Sequence, residues 1–114
     1  MTRFDKLQVW QRAQDFAVEV EDVAKLLRYD AADQLRRSSA SVADNIAEGA
    51  ARGSEGDFAR FIGIAAGSCA EAESQLRRAQ RFGCDALRLI DEAQQIGWML
   101  AALRQRLTAA RGSG

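Results

Sequence analysis

A chain of 114 residues with 16 basic and 16 acidic groups is one small domain of zero formal charge, which argues against a generic polyanion binder. It contains no histidine, which excludes imidazole acid–base pairs, Ser-His-Asp triads and histidine metal sites, and no proline to break a helix from within. With 47% hydrophobic and 28% charged residues, its composition is that of an ordinary globular protein of helical type.

The opening Met-Thr-Arg-Phe-Asp has no apolar run, so no signal peptide is expected. The first helix is predicted over 5–28, with Asp5 as N-cap, Gln8 completing a capping box and Phe4 stapling against Val9. Val9, Ala13, Phe16, Val20, Val23 and Leu27 then recur at spacings of three and four, one apolar stripe. A second helix is predicted over 31–49 on the weaker stripe Leu35, Ser39, Val42, Ile46 and Gly49. The segment Glu48-Gly-Ala-Ala-Arg-Gly-Ser54 is the clearest turn.

Ser54, with Asp57 three residues on, opens a third helix over 55–82, carrying Phe58, Ile62, Ala65, Cys69, Ala72, Leu76 and Ala79. A second stripe through Phe61, Ser68, Gln75 and Phe82 widens its face, which implies more than one neighbouring helix. Gly83 suits a helix C-terminus, and Asp85 is the expected cap of a fourth helix over 86–110 with the stripe Leu89, Ala93, Ile96, Leu100, Leu103 and Leu107. Four helices with short connections predict an all-α, antiparallel up-down-up-down four-helix bundle as a single domain over 1–114.

No stretch approaches the roughly 18 apolar residues of a membrane span, so no membrane association is expected. Cys69 and Cys84 lie about 20 Å apart if one helix joins Cys69 to Phe82, too far for a disulfide. Two free thiols fit a reducing cytoplasm.

Chemistry-bearing patterns are few. There is no Glu-x-x-His motif for a di-iron site and no glycine-rich phosphate loop, so no cofactor, no metal and no enzymatic activity are expected. The more informative pattern is a polar line on the second helix, where Gln34, Ser38, Ser41, Asn45 and Glu48 share one face. A hairpin centred near Arg52 sets Glu71 level with Gln34 and within a turn of Arg37, and Ser68 level with Arg36 and Arg37. A polar network of Gln34, Arg37, Ser41, Asn45, Glu48, Ser68 and Glu71 is therefore expected, built around an Arg37–Glu71 pair. One reading of it is fixed helix register; the other is a recognition surface that includes Arg52.

Arg28, Arg77, Arg78, Arg81 and Arg88 gather at the end holding the first and third connections. They form either a phosphate-contacting patch or a mixed-charge end shared with Asp30, Asp33, Asp85 and Asp91. Trp10 and Trp98 flank their stripes; they mark an oligomer interface or widen the buried face of their own helices.

The segment Gln34-Leu-Arg-Arg-Ser-Ser-Ala-Ser-Val-Ala-Asp-Asn-Ile-Ala-Glu-Gly49, with Arg52, Phe58, Phe61, Ala65-Ala-Gly-Ser-Cys-Ala-Glu71 and the opening Leu7-Gln-Val-Trp10, resembles the four-helix-bundle proteins of the 23S rRNA intervening-sequence type. The resemblance covers nearly the whole chain. Prolines the family often carries near residue 30 and at Ala43 are missing here. The resemblance implies a four-helix bundle assembled as a homopentamer. A related bundle, the accessory protein of diversity-generating retroelements, binds nucleic acid, which directs attention to the arginines. The function expected is a non-catalytic oligomeric bundle binding structured RNA, DNA or a ribonucleoprotein; the alternative is a protein-interaction or scaffold module.

Overall fold

The computed structural model describes residues 3–112, with side chains described through residue 109. A short 3-10 turn over Phe4–Lys6 leads into α1 (Gln8–Glu19) and α2 (Glu21–Ala24), followed by α3 (Tyr29–Ala51), α4 (Glu55–Arg81) and α5 (Leu87–Gly112). α1 and α2 together form the first arm of an antiparallel four-helix bundle. α4 packs along α3 on one side and α5 on the other, and the first arm lies against α3 and α5. No described helix is long and apolar enough to cross a membrane.

The apolar stripes become the core. Phe16, Val20, Leu35, Val42, Ile46, Ile62, Leu76, Ile96 and Leu100 are fully enclosed, with Ala65, Ala72 and Ala93 letting the axes approach between them. Two serines are buried as well, and both are satisfied locally: Ser39 Oγ donates to the carbonyls of Leu35 (2.8 Å) and Arg36 (3.1 Å), and Ser38 Oγ reaches the Leu35 carbonyl at 3.2 Å.

The helix ends show how local chemistry departs from expectation. Asp5 does not cap the first helix. It lies inside the 3-10 turn, α1 starts after Leu7 with no side-chain cap, and Gln11 Nε2 donates to the Asp5 carbonyl at 3.0 Å. Phe4 meets Trp10 edge to face at 5.0 Å. The first helix also ends before residue 28. Around the β-branched Val18, Val20 and Val23, which are weak helix formers, the Val20 carbonyl accepts from both Val23 (3.0 Å) and Ala24 (2.9 Å) and tightens the chain. The Leu26 and Leu27 amides then bond Val23 and Ala24 in the same 3-10 manner, so Leu27 leaves the stripe half-buried.

Ser54 does cap α4, its Oγ accepting from the Asp57 amide at 3.2 Å. α4 ends in a Schellman arrangement: Gly83 takes φ +103°, its amide donates to the Gln80 carbonyl, and the Cys84 amide reaches Ala79 at 3.0 Å. Asp85 does not cap α5. The Gln80 side chain reaches across the turn instead, its Oε1 accepting from the Ala86 amide at 2.7 Å.

Three ion pairs tie the first arm down, one of them from Arg88 of α5 to Glu19 at 2.9 Å. Arg12 grips Glu92 of α5 through both carboxylate oxygens, with Gln95 Oε1 at 2.8 Å from Nη2 and Met99 Sδ at 3.5 Å from Nη1. This hydrogen bonding raises the Arg12 guanidinium further above its ordinary value. Arg36 of α3 holds Glu21 of α2 in a fork of 2.7 and 2.8 Å, which keeps that exposed carboxylate below its usual range.

Candidate functional site

Polar side chains do meet between α3 and α4, though not in the expected register. Ser41 Oγ and Ser68 Oγ lie 2.8 Å apart, and Asn45 Nδ2 donates to the carbonyl (2.8 Å) and hydroxyl (2.9 Å) of Ser41. One turn up, Ser38 Oγ donates to Gln75 Oε1 at 2.7 Å. Ser68 thus faces Ser41 rather than Arg36 or Arg37, a displacement of about five residues, or roughly 7 Å along the axis.

The expected Arg37–Glu71 pair does not form. Arg37 is 80% exposed at its side chain and bonds Asp33 one turn back on its own helix, Nε to Oδ2 2.9 Å. Glu71 is exposed, with no hydrogen bond or ion pair among the described residues. Gln34 is exposed too and lies beside Gln75 and Arg78 in a shallow depression. Glu48 pairs with Arg52 at 3.3 Å on the α3 surface. The seam therefore comprises Ser38, Ser41, Asn45, Ser68 and Gln75. Gln75 was absent from the sequence-derived network, although its place in the second stripe of the third helix marked it as inward-facing.

Every buried side-chain nitrogen or oxygen among the described residues has a partner. Cys69 Sγ donates to the Ala93 carbonyl at 3.1 Å, and burial pushes its thiol up to about 11. Cys84 is half-exposed. No cluster of three or more metal-ligating side chains forms among the described residues.

At the α3–α4 connection, the guanidinium carbons of Arg52 and Arg60 lie 5.0 and 4.5 Å from the centroid of the nearly buried Phe61 ring. Sequence reasoning missed Arg60; its place one residue before an aromatic in the first turns of α4 was the only signal.

At the opposite end, the five arginines divide. Arg77 bonds Glu73 and Arg88 bonds Glu19, each at 2.9 Å. The side chains of Arg28, Arg78 and Arg81 have no ionic or hydrogen-bond partner among the described residues. The tryptophans divide as well. Trp10 is half-buried, packed on the core and against Phe4. Trp98 is 69% exposed and borders a furrow between α4 and α5 that small residues such as Ala66 and Gly97 share with Glu73 and Gln94. Through Ala66 this furrow continues along Leu100, Ala101, Arg104 and Thr108.

Comparison with known proteins follows the fold. A family model described as 23S rRNA-intervening sequence protein matches residues 5–102. The chain is also similar to a crystal structure from Bacteroides thetaiotaomicron, described as a protein with unknown function from the S23 ribosomal protein family. That likeness has a TM-score of 0.79 at 23% identity, over 84% of this chain and 97% of that one. No curated protein matches.

Proposed function

The chain belongs to the 23S rRNA-intervening sequence protein family, and from that premise we propose that it is a non-catalytic, self-associating binding module of the cytoplasm, assembled as a homopentamer. The observation that carries this reading is Trp98. A tryptophan 69% exposed at the edge of the α4–α5 furrow leaves a large aromatic side chain in water, which a second copy covers. The two free thiols agree with a reducing compartment. Light scattering on the purified chain tests the reading: the wild type runs as a multimer, and Trp98→Asp lowers the mass while leaving the helical circular dichroism intact. A wild type that remains monomeric at high concentration overturns it.

Nucleic acid, as structured RNA or DNA, is a second reading, supported by the three unpaired arginines Arg28, Arg78 and Arg81. Pairing of Arg77 and Arg88 with glutamates and the zero net charge weigh against it. Binding of a hairpin RNA at low and moderate salt decides, because phosphate contacts must weaken steeply as salt rises.

A further inference from the structure

The end of the bundle where α2 passes into α3 and α4 into α5 holds a groove that neither the polar seam nor the Trp98 furrow uses. Leu26, Leu27, Arg28, Ala31, Phe82 and Cys84 enclose about 250 Å³. A smaller depression runs on past Phe82 to Ala79, Gln75 and Arg78. Leu26 is 66% and Phe82 79% exposed, so two large apolar side chains stand in water beside an apolar hollow. No carboxylate lines either part. Two of the lining residues, Arg28 and Arg78, are arginines without a counter-charge among the described residues, and Arg81, next to Phe82 in sequence, is a third.

We infer that this groove docks an acidic amphipathic helix from a partner protein, its apolar face seated against Leu26, Leu27, Ala31 and Phe82 and its carboxylates meeting Arg28 and Arg78. Apolar walls flanked by one sign of charge are the complement of a helix with apolar anchors at i, i+3, i+4 and i+7 and acidic residues beside them. Nucleic acid fits less well. Unpaired bases bind by stacking on flat faces, and here a single aromatic ring stands among aliphatic walls.

The test is selection of a displayed random-peptide library on the full-length chain, repeated on Phe82→Ala and on the double variant Arg28→Glu/Arg78→Glu. The expected winners pair apolar residues at helical spacing with Asp and Glu. They bind Phe82→Ala about tenfold or more weakly, and the double variant selects Lys and Arg in place of the acids. All altered side chains lie at the surface, and circular dichroism confirms that each variant is folded. Enrichment of peptides without acidic character, or none above Phe82→Ala, overturns the inference. So does hairpin RNA binding that is lost with Arg28→Glu/Arg78→Glu, since that assigns the arginines to phosphate. A fall in multimer mass on Phe82→Ala also overturns it, by making a second copy the occupant. Loss of assembly in Trp98→Asp alone bears only on self-association and leaves the peptide result standing.

Discussion

Gly49 and Phe61 are packed so closely that a β-carbon on Gly49 would lie 2.7 Å from the Phe61 β-carbon and 3.1 Å from the Phe58 ring. The glycine is needed because α3 and α4 converge there, in the turns next to their connection. The same convergence holds Phe61 between Arg52 and Arg60. The stretch Asn45-Ile-Ala-Glu-Gly49 is thus written by packing: Asn45 braces Ser41, Ile46 fills the core, Glu48 pairs with Arg52 and Gly49 admits Phe61.

Gly49→Ala should destabilise the bundle by about 1–3 kcal/mol, the usual cost of overpacking against side chains that cannot withdraw. Gly67, within α4, faces nothing within 4 Å, so Gly67→Ala should be neutral or stabilise by about 0.5–1 kcal/mol through helix propensity. Urea unfolding of the two variants side by side makes the comparison.

Ser41 and Ser39 should respond differently to alanine. Ser41→Ala leaves the Ser68 hydroxyl and one Asn45 bond without a partner, at a cost of about 1–2 kcal/mol. Ser39 bonds only carbonyls of its own helix, so Ser39→Ala removes a hydroxyl that no other side chain needs and should change stability by less than about 0.5 kcal/mol. Equal losses at both sites would show that the seam does not bind α3 to α4.

Arg12 joins the first arm to α5 through a bidentate grip whose side chains are 31% and 23% exposed. Removing either partner leaves a half-buried charge, and Arg12→Ala or Glu92→Ala should cost about 1–3 kcal/mol. In a double-mutant cycle the combined loss should be smaller than the sum of the single losses.

The Cys69 thiol, pushed up to about 11 by burial and then by Glu73, keeps its proton in the folded chain after the unfolded chain has lost it. Its contribution is therefore full below the ordinary thiol value of 9.0 and falls away as pH climbs toward about 11. Urea midpoints compared at about pH 8 and about pH 10.5 should drop less in Cys69→Ala than in the wild type. Iodoacetamide should modify half-exposed Cys84 well before Cys69.

Periodicity made most of the core legible, because Phe16, Leu35, Ile46, Ile62, Leu76 and Ile96 repeat at the helical period and turn to one side. The Ser54 cap was equally legible, since it depends on four consecutive residues. Some of what failed was local, as at Asp5 and Val20, and some depended on relations between helices. Register between α3 and α4 follows from axis tilt and from how closely Gly49 lets the chains approach, which spacing along one strand of sequence does not encode. Arg37 shows how a local partner can win: Asp33, one turn back, is within reach without any interhelix alignment, and it holds the arginine. The bond at the start of α5 was missed for a similar reason, because Gln80 reaches the Ala86 amide across a turn.

The tightened turn at Val20 also bears on the order in which the molecule assembles and opens. α3, α4 and α5 are neighbours in sequence and share the longest interfaces, so they can close by short-range contacts into a layer of their own. The interrupted first arm has less to bury and is tethered through Arg12 and Glu21. Amide exchange should accordingly show two tiers of protection, with the amides of α1 and α2 released by a partial opening while those of α4 await global unfolding. In such an opening the wall that α1 gives to α5 would be the first to come away.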